Sequence, residues 1–409
     1  MPLPSLRERL LPWLLPVTLT VAVFFSFLFT VPRPHQEFYS MQAFIESLAR
    51  GRLDFSILGF HGADFLAVPW YLLTRSPFTA IEVQIFTALF LPLAAFAAGR
   101  AIYKQTWHGL MLAAIISLMP FVTYAGLRGW TEPTHMLLLL LTITFAARGK
   151  LTAAGLMWGL ALLTKPFALG LVPLLFHYRS KEGGFLVRNR AFLVAGEMVV
   201  MYLLLQFLQA RYLLMGMAPG TISTVLTEGL MRMPANGMHA LQILFSVHNY
   251  YFPDPALTGA GNLMHTTPLL VFLGLFGLLA QRQYYATPAL GHALLWGILI
   301  AIGLNVPLDH MDHIYMEAGI LLFVIAALPV LRSFPLWIPL VLATLHFQWF
   351  YFYLQYRTVY ALQPGFFLVP ALVDGIAIGW GVWAFWRSFK HRPAALPAST
   401  PAPSPLAAV

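Results

Sequence analysis

Apolar stretches alternate with short polar segments along almost the whole of this chain. They fall at roughly 10–31, 80–99, 107–125, 131–147, 151–164, 166–177, 191–213, 267–280, 286–305, 314–331, 335–353 and 366–386. A helix that fully crosses a bilayer takes about 20 such residues. The pattern predicts an all-α, polytopic transmembrane helical bundle of about 12 spans, forming one domain over residues 1–391. The Pro/Ala/Ser-rich tail at 392–409 is expected to be disordered.

Two stretches, 151–164 and 166–177, are each too short to cross. Thr164-Lys165-Pro166 separates them, and proline disfavours helix in the residue before it. A hairpin of two short helices is expected, about 21 Å deep at 1.5 Å per residue. One kinked helix over the same residues is the rival, but it would place basic clusters on both faces of the membrane. The hairpin puts Lys165 just inside the outer leaflet, where an unpaired charge is costly. An internal ion pair with Glu132 or another outer acid is the structural alternative to a functional role for it. Between the first two stretches, Phe38, Met41, Ile45 and Leu48 recur at helical spacing among Glu37, Ser40, Gln42, Glu46 and Arg50. This predicts an amphipathic helix on the membrane surface, in the first outer loop. The apolar piece at 65–73 is interrupted by Pro69 and is too short to span.

Composition narrows the class. The chain is 59% hydrophobic and 10% charged, against about 25% charged in a soluble domain. It has no Cys, which excludes disulfides, Cys-ligated metal and Cys nucleophiles. The net charge of +9 does not point to nucleic acid, because the cations flank the apolar stretches on alternate loops. Arg7, Arg9, Arg100, Lys104, Arg148, Lys150, Arg179, Lys181, Arg188, Arg190, Arg282, Arg332, Arg387, Lys390 and Arg392 make up 15 of the 24 Lys and Arg. By the positive-inside bias those loops and both termini are cytoplasmic. The acidic and His-rich segments then share the outer side. The first stretch is longer than a signal-peptide core and reads as an uncleaved anchor.

Four local motifs sit at defined places in this layout. HQEFYS, with Glu37, directly follows the first span. GLALLTKPFALGLVPLL places Lys165 at the hairpin turn. LRGWTEPT, with Glu132, precedes the fourth span, and DHMDHIYM opens a late one. In this layout the chain resembles the GT-C superfamily of membrane glycosyltransferases, over residues 10 to about 390. The resemblance implies a GT-C-like fold in a bacterial inner (plasma) membrane, with its active site on the periplasmic face. It implies transfer of a hexosyl or pentosyl group from a polyprenyl-phosphate-linked donor to an acceptor hydroxyl, during glycan biosynthesis. The acceptor is a protein, a glycan or a lipid. Many relatives carry an Asp or an Asp-Glu pair at the first motif, where this chain has Gln36-Glu37.

Such a transfer needs a general base for the acceptor and a cation for the departing phosphate. Glu37 is the expected base, with Asp54 and Asp64 as alternatives; Asp64 also suits a helix cap. Lys165 is the expected ligand of the lipid phosphate, joined by Arg128 and Arg357. Both arginines lie beside aromatic residues and equally suit interfacial anchoring. His313 and Tyr315 are expected to hydrogen-bond the phosphate or sugar. Asp309, His310, Asp312 and His313 lack the H-E-x-x-H spacing, so no metal or other cofactor is expected, a divalent ion there being the alternative. Glu197 and Asp374 fall within spans. The rival function class is a transporter or flippase for lipid-linked sugars, disfavoured by the lack of an internal repeat.

Overall fold

Long runs rich in Leu, Ala and Phe, ended by Pro or charged residues, satisfy their backbone groups internally and so form helices. In a computed structural model the described residues are 11–28, 36–52, 62–119, 126, 129–213, 268–280, 285, 287–305, 317–334, 337–339, 341–342, 345 and 383. Every regular element among them is helical. A 3₁₀ turn at Leu11–Trp13 leads into α1 (Leu14–Leu28). There follow α2 (Gln36–Ala49), α3 (Gly62–Thr74), α4 (Thr79–Tyr103), α5 (Thr106–Leu118), α6 (Glu132–Ala147) and α7 (Leu151–Thr164). A 3₁₀ segment, Pro166–Leu171, runs into α8 (Val172–Tyr178). Then come α9 (Phe185–Arg188), α10 (Arg190–Leu213), α11 (Pro268–Leu279), α12 (Pro288–Asn305) and α13 (Glu317–Ser333). Among the described residues one helix, α4, is long and apolar enough to cross a membrane. The stretches expected at 335–353 and 366–386 lie mostly outside the described residues, and the tail at 392–409 lies wholly outside them.

The 151–177 region is a hairpin. Lys165 is extended (φ −152°, ψ 128°) and ends α7. Beyond it the Trp158 indole N–H donates to the Ala168 carbonyl at 2.8 Å. Ten residues along a continuous helix span about 15 Å, too far for that bond, so the chain folds back at Lys165-Pro166.

Helix α13 is the centre of the bundle. Every residue from Glu317 to Leu331 is buried, and α13 packs on α11, α12, α5 and α6. A helix that is apolar all round requires such a place. Close approach depends on small residues, as between helices in lipid. A Cβ on Gly297 of α12 would lie 2.5 Å from the Gly170 carbonyl oxygen and 2.8 Å from Leu322 Cδ1. Gly297→Val is therefore expected to destabilise the protein by about 1–3 kcal/mol, the usual cost of overpacking. Thermal unfolding in detergent measures this, and an unchanged midpoint would mean that the hairpin does not rest on α12.

The apolar face expected on α2 exists but has a different partner. Phe38 and Ile45 are buried against Ala67 and Tyr71 of α3 and Ala80 and Ile81 of α4. Phe44 is buried with Leu163 and Tyr202. Protein, not the bilayer surface, covers this face, because α3 folds back over α2. The Gln42 side chain secures the joint: its amide N–H donates to the Ser76 carbonyl at 3.2 Å, and its carbonyl accepts from the Ala80 N–H at 3.2 Å. It thereby caps the N-terminus of α4.

Four of the sorted cations come together in space. Lys104 Nζ donates to the Ala147 carbonyl at 3.1 Å, which gathers Arg100, Lys104, Arg148 and Lys150 at one end of the bundle. At the other end the start of α3 and the first residue of α6 meet the turn of the hairpin.

Candidate functional site: a buried charge cluster at the hairpin turn

Four ionisable side chains converge at the end of the bundle opposite those cations. Glu132 is the first residue of α6 and His135 follows at i+3, so both project from one helix face. Glu317 is the first residue of α13. Lys165 stands at the turn. Its Nζ donates to Glu132 Oε1 at 2.9 Å and lies 3.6 Å from Glu317 Oε1. His135 Nδ1 pairs with the other oxygen of Glu317. All four side chains are buried, and Lys165 is only 6% exposed.

The surroundings hold this cluster firmly. Thr134, between Glu132 and His135, is tied to α4: its hydroxyl donates to Gln84 Oε1 at 2.8 Å and its N–H to the same oxygen at 3.2 Å. Thr87 Oγ1 lies 3.3 Å from Thr134 Oγ1. The positive ends of the α6 and α13 dipoles favour the two carboxylates at their first positions. On another side α3 begins against the end of α7. A Cβ on Gly62 would lie 2.6 Å from both the Leu160 carbonyl oxygen and the Thr164 hydroxyl. Only glycine permits that approach beside Lys165.

The charge balance is uneven. Two carboxylates face one ammonium, which leaves a formal charge of −1 when the imidazole is neutral. One further proton on His135 makes the cluster neutral. The groups are close enough that protons belong to the set and not to single residues. Glu132 Oε2, Glu317 Oε1 and His135 Nε2 make no hydrogen bond among the described residues. Buried polar atoms without such bonds are costly. An arrangement of this kind can take up and release a proton, and its ammonium meets an anion only once a carboxylate moves away or is protonated.

The residues singled out from sequence are placed unevenly. Lys165 is in the cluster, and Glu132 is its partner. Asp64 is buried in the first turn of α3, two residues after Gly62. Glu37 lies in the first turn of α2, with its side chain outside the described residues. Asp54, Arg128, His313, Tyr315 and Arg357 lie outside them too, as do Asp309, His310, Asp312 and Asp374. Glu197 is on an exposed face of α10. Among the described residues no group of three or more His, Asp or Glu could hold a metal ion.

His135 and Glu317 are not among the residues singled out from sequence. Signals for both exist. Glu132-Pro133-Thr134-His135 puts two ionisable groups on one face at the start of an apolar helix. Glu317 opens a helix otherwise apolar until Arg332. Ionisable residues in such segments are functional candidates by default.

No family model matches the chain, and no curated protein matches it.

Proposed function

We propose that this chain is an integral membrane glycosyltransferase. It moves a sugar from a polyprenyl-phosphate donor to an acceptor hydroxyl at the outer face, with inversion. The observation that carries the reading is the cation at the hairpin turn. Lys165 is held between Glu132 and Glu317, at the end of the bundle where Gln42 clamps α2, the helix of Glu37, onto α4.

In this reading the acceptor hydroxyl gives its proton to Glu37 as its oxygen attacks the anomeric carbon. The bond from that carbon to the phosphate oxygen breaks on the opposite side. The lipid phosphate leaves with the bonding electrons, and Lys165 offsets its charge. Glu132 and Glu317 keep Lys165 charged while no donor is bound. Arg128, Arg357, His313 and Tyr315 complete the contacts to phosphate and sugar, and Asp54 and Asp64 are the alternative bases. The fold is a GT-C-like bundle of about 12 spans in a bacterial inner membrane. Both termini are cytoplasmic and the site is periplasmic.

The test is donor cleavage. Purified protein incubated with a panel of polyprenyl-phosphate sugars and candidate acceptors should release polyprenyl phosphate and give a product of inverted configuration. Donors that stay intact across the panel would overturn the proposal. Orientation is tested separately, and the chain's lack of Cys makes the assay clean. A cysteine at Lys181 should be shielded from an impermeant thiol reagent in intact cells, and one at Ser56 should label. The reverse pattern would refute the topology.

A flippase for lipid-linked sugars is the second reading, favoured by one observation. An acid–lysine–acid–histidine set buried in a helical bundle can pass a proton, as a proton-coupled carrier requires. In proteoliposomes a flippase moves labelled donor between leaflets with its glycosidic bond intact, whereas the transferase breaks that bond.

A further inference from the structure

We propose that the cleft between α8, α9 and α10 binds the headgroup of an anionic phospholipid of the cytoplasmic leaflet. The cleft measures about 710 Å³ and lies at the end of the bundle opposite Lys165. Its lining combines two chemistries: Phe176, Phe185, Phe192 and Leu193 are apolar, and Arg179, Arg188 and Asn189 are polar. That combination matches a phospholipid, with phosphate against guanidinium and glycerol or acyl carbons against the rings.

The walls are built from packed parts. The Phe176 and Phe192 rings lie 4.5 Å apart, and the Arg179 guanidinium sits over the Phe176 ring at 5.5 Å. Asn189 Nδ2 donates to the Phe185 carbonyl at 3.0 Å, which holds α9 to the start of α10. Among the described residues neither Arg179 nor Arg188 makes an ion pair with a carboxylate. From Arg179 to Arg190 there are four cations (Arg179, Lys181, Arg188, Arg190) and one acid, Glu182. The local excess is positive.

A second observation points to the bilayer as the source of the ligand. Phe185, Leu186 and Val187 are 72%, 68% and 51% exposed. Three consecutive large apolar side chains, followed by Arg188 and Arg190, suit a segment that dips into the headgroup region while its cations meet lipid phosphate. Anionic headgroups of the cytoplasmic leaflet supply the complementary charge. The proposal rests on the membrane orientation and not on the transferase chemistry.

The full-length protein in a mild nonionic detergent is mixed with phosphatidylglycerol and phosphatidylcholine of matched acyl chains, and retained lipid is read by native mass spectrometry. Phosphatidylglycerol should be retained in preference. The R179Q/R188Q double variant should lose about 25-fold in that retention, at about fivefold for each cation near an anionic headgroup. Both residues are exposed, and a thermal unfolding curve checks that the variant is folded. Arg100→Gln, an exposed cation at the same end outside the cleft, should leave retention unchanged. Equal retention by the double variant and the native chain overturns the proposal, and so does equal loss with Arg100→Gln. Displacement of the lipid by millimolar inorganic phosphate would reassign the cleft to free anions. Retention of a second copy or a soluble protein in place of lipid would reassign it to an interface. None of these outcomes bears on donor cleavage, so the transferase reading stands or falls apart from this one.

Discussion

Lys165→Met should unfold at a markedly lower temperature than the native chain, with a loss of about 3–5 kcal/mol, the usual cost of removing one partner from a buried ion pair. The reason is the charge left behind. Glu132 and Glu317 would remain buried near each other with no cation between them, and His135 alone cannot neutralise two carboxylates. Adding Glu132→Gln and Glu317→Gln to Lys165→Met removes both stranded charges, so the triple variant should regain most of the lost stability. Turnover separates structure from function. In the transferase reading the refolded triple variant still fails to use donor, because no ammonium meets the leaving phosphate. If the triple variant recovers both stability and turnover, Lys165 is a structural residue. If Lys165→Met alone is as stable as the native chain, the cluster does not carry the stability assigned to it.

The second large effect concerns Glu37. Glu37→Gln keeps shape and hydrogen bonding but removes the basic oxygen. Loss of a general base typically slows turnover by about 10²–10⁴-fold. Donor affinity should hold, since the phosphate contacts are assigned to Lys165 and the arginines. Both quantities are measured on one purified variant. Near-native turnover would move the base to another residue. Asp64→Asn is then the next variant, because Asp64 is buried in the first turn of α3 and that helix begins against the end of α7. Asp54→Asn follows it.

Much of the bundle is legible from local pattern. The α6, α7 and α10 boundaries fall within a residue or two of the ends of the apolar stretches, because helix formation under a hydrophobic run is a local event and its stops are local too. Pro133 in the first turn favours the start of α6, and Lys165-Pro166 stops α7, for reasons confined to a few neighbouring residues. The amphipathic face of α2 is likewise written in its own spacing. Its partner is not: whether Phe38, Phe44 and Ile45 meet lipid or α3, α4 and α7 depends on where α3 and α4 pack.

The cluster divides the same way. The cost of a charge at the hairpin turn is evident from sequence, and it calls for an acid partner. Glu132, which is 33 positions away, is a natural choice because both residues sit at the same end of neighbouring segments. The link from His135 to Glu317 crosses 182 positions. Nothing along the chain sets the rotation of α13 about its own axis or its depth between α6 and α12. Packing decides both, through the close approach of Gly274 and Gly277 of α11 to the Phe323 and Ala326 carbonyls and the burial of α13 on every side. An ion pair depends on distances of a few ångströms, and hydropathy specifies only which residues enter the bundle. The chain alone therefore determined that a buried lysine would need an acid, and the tertiary packing decided that it has two, with a histidine on the second.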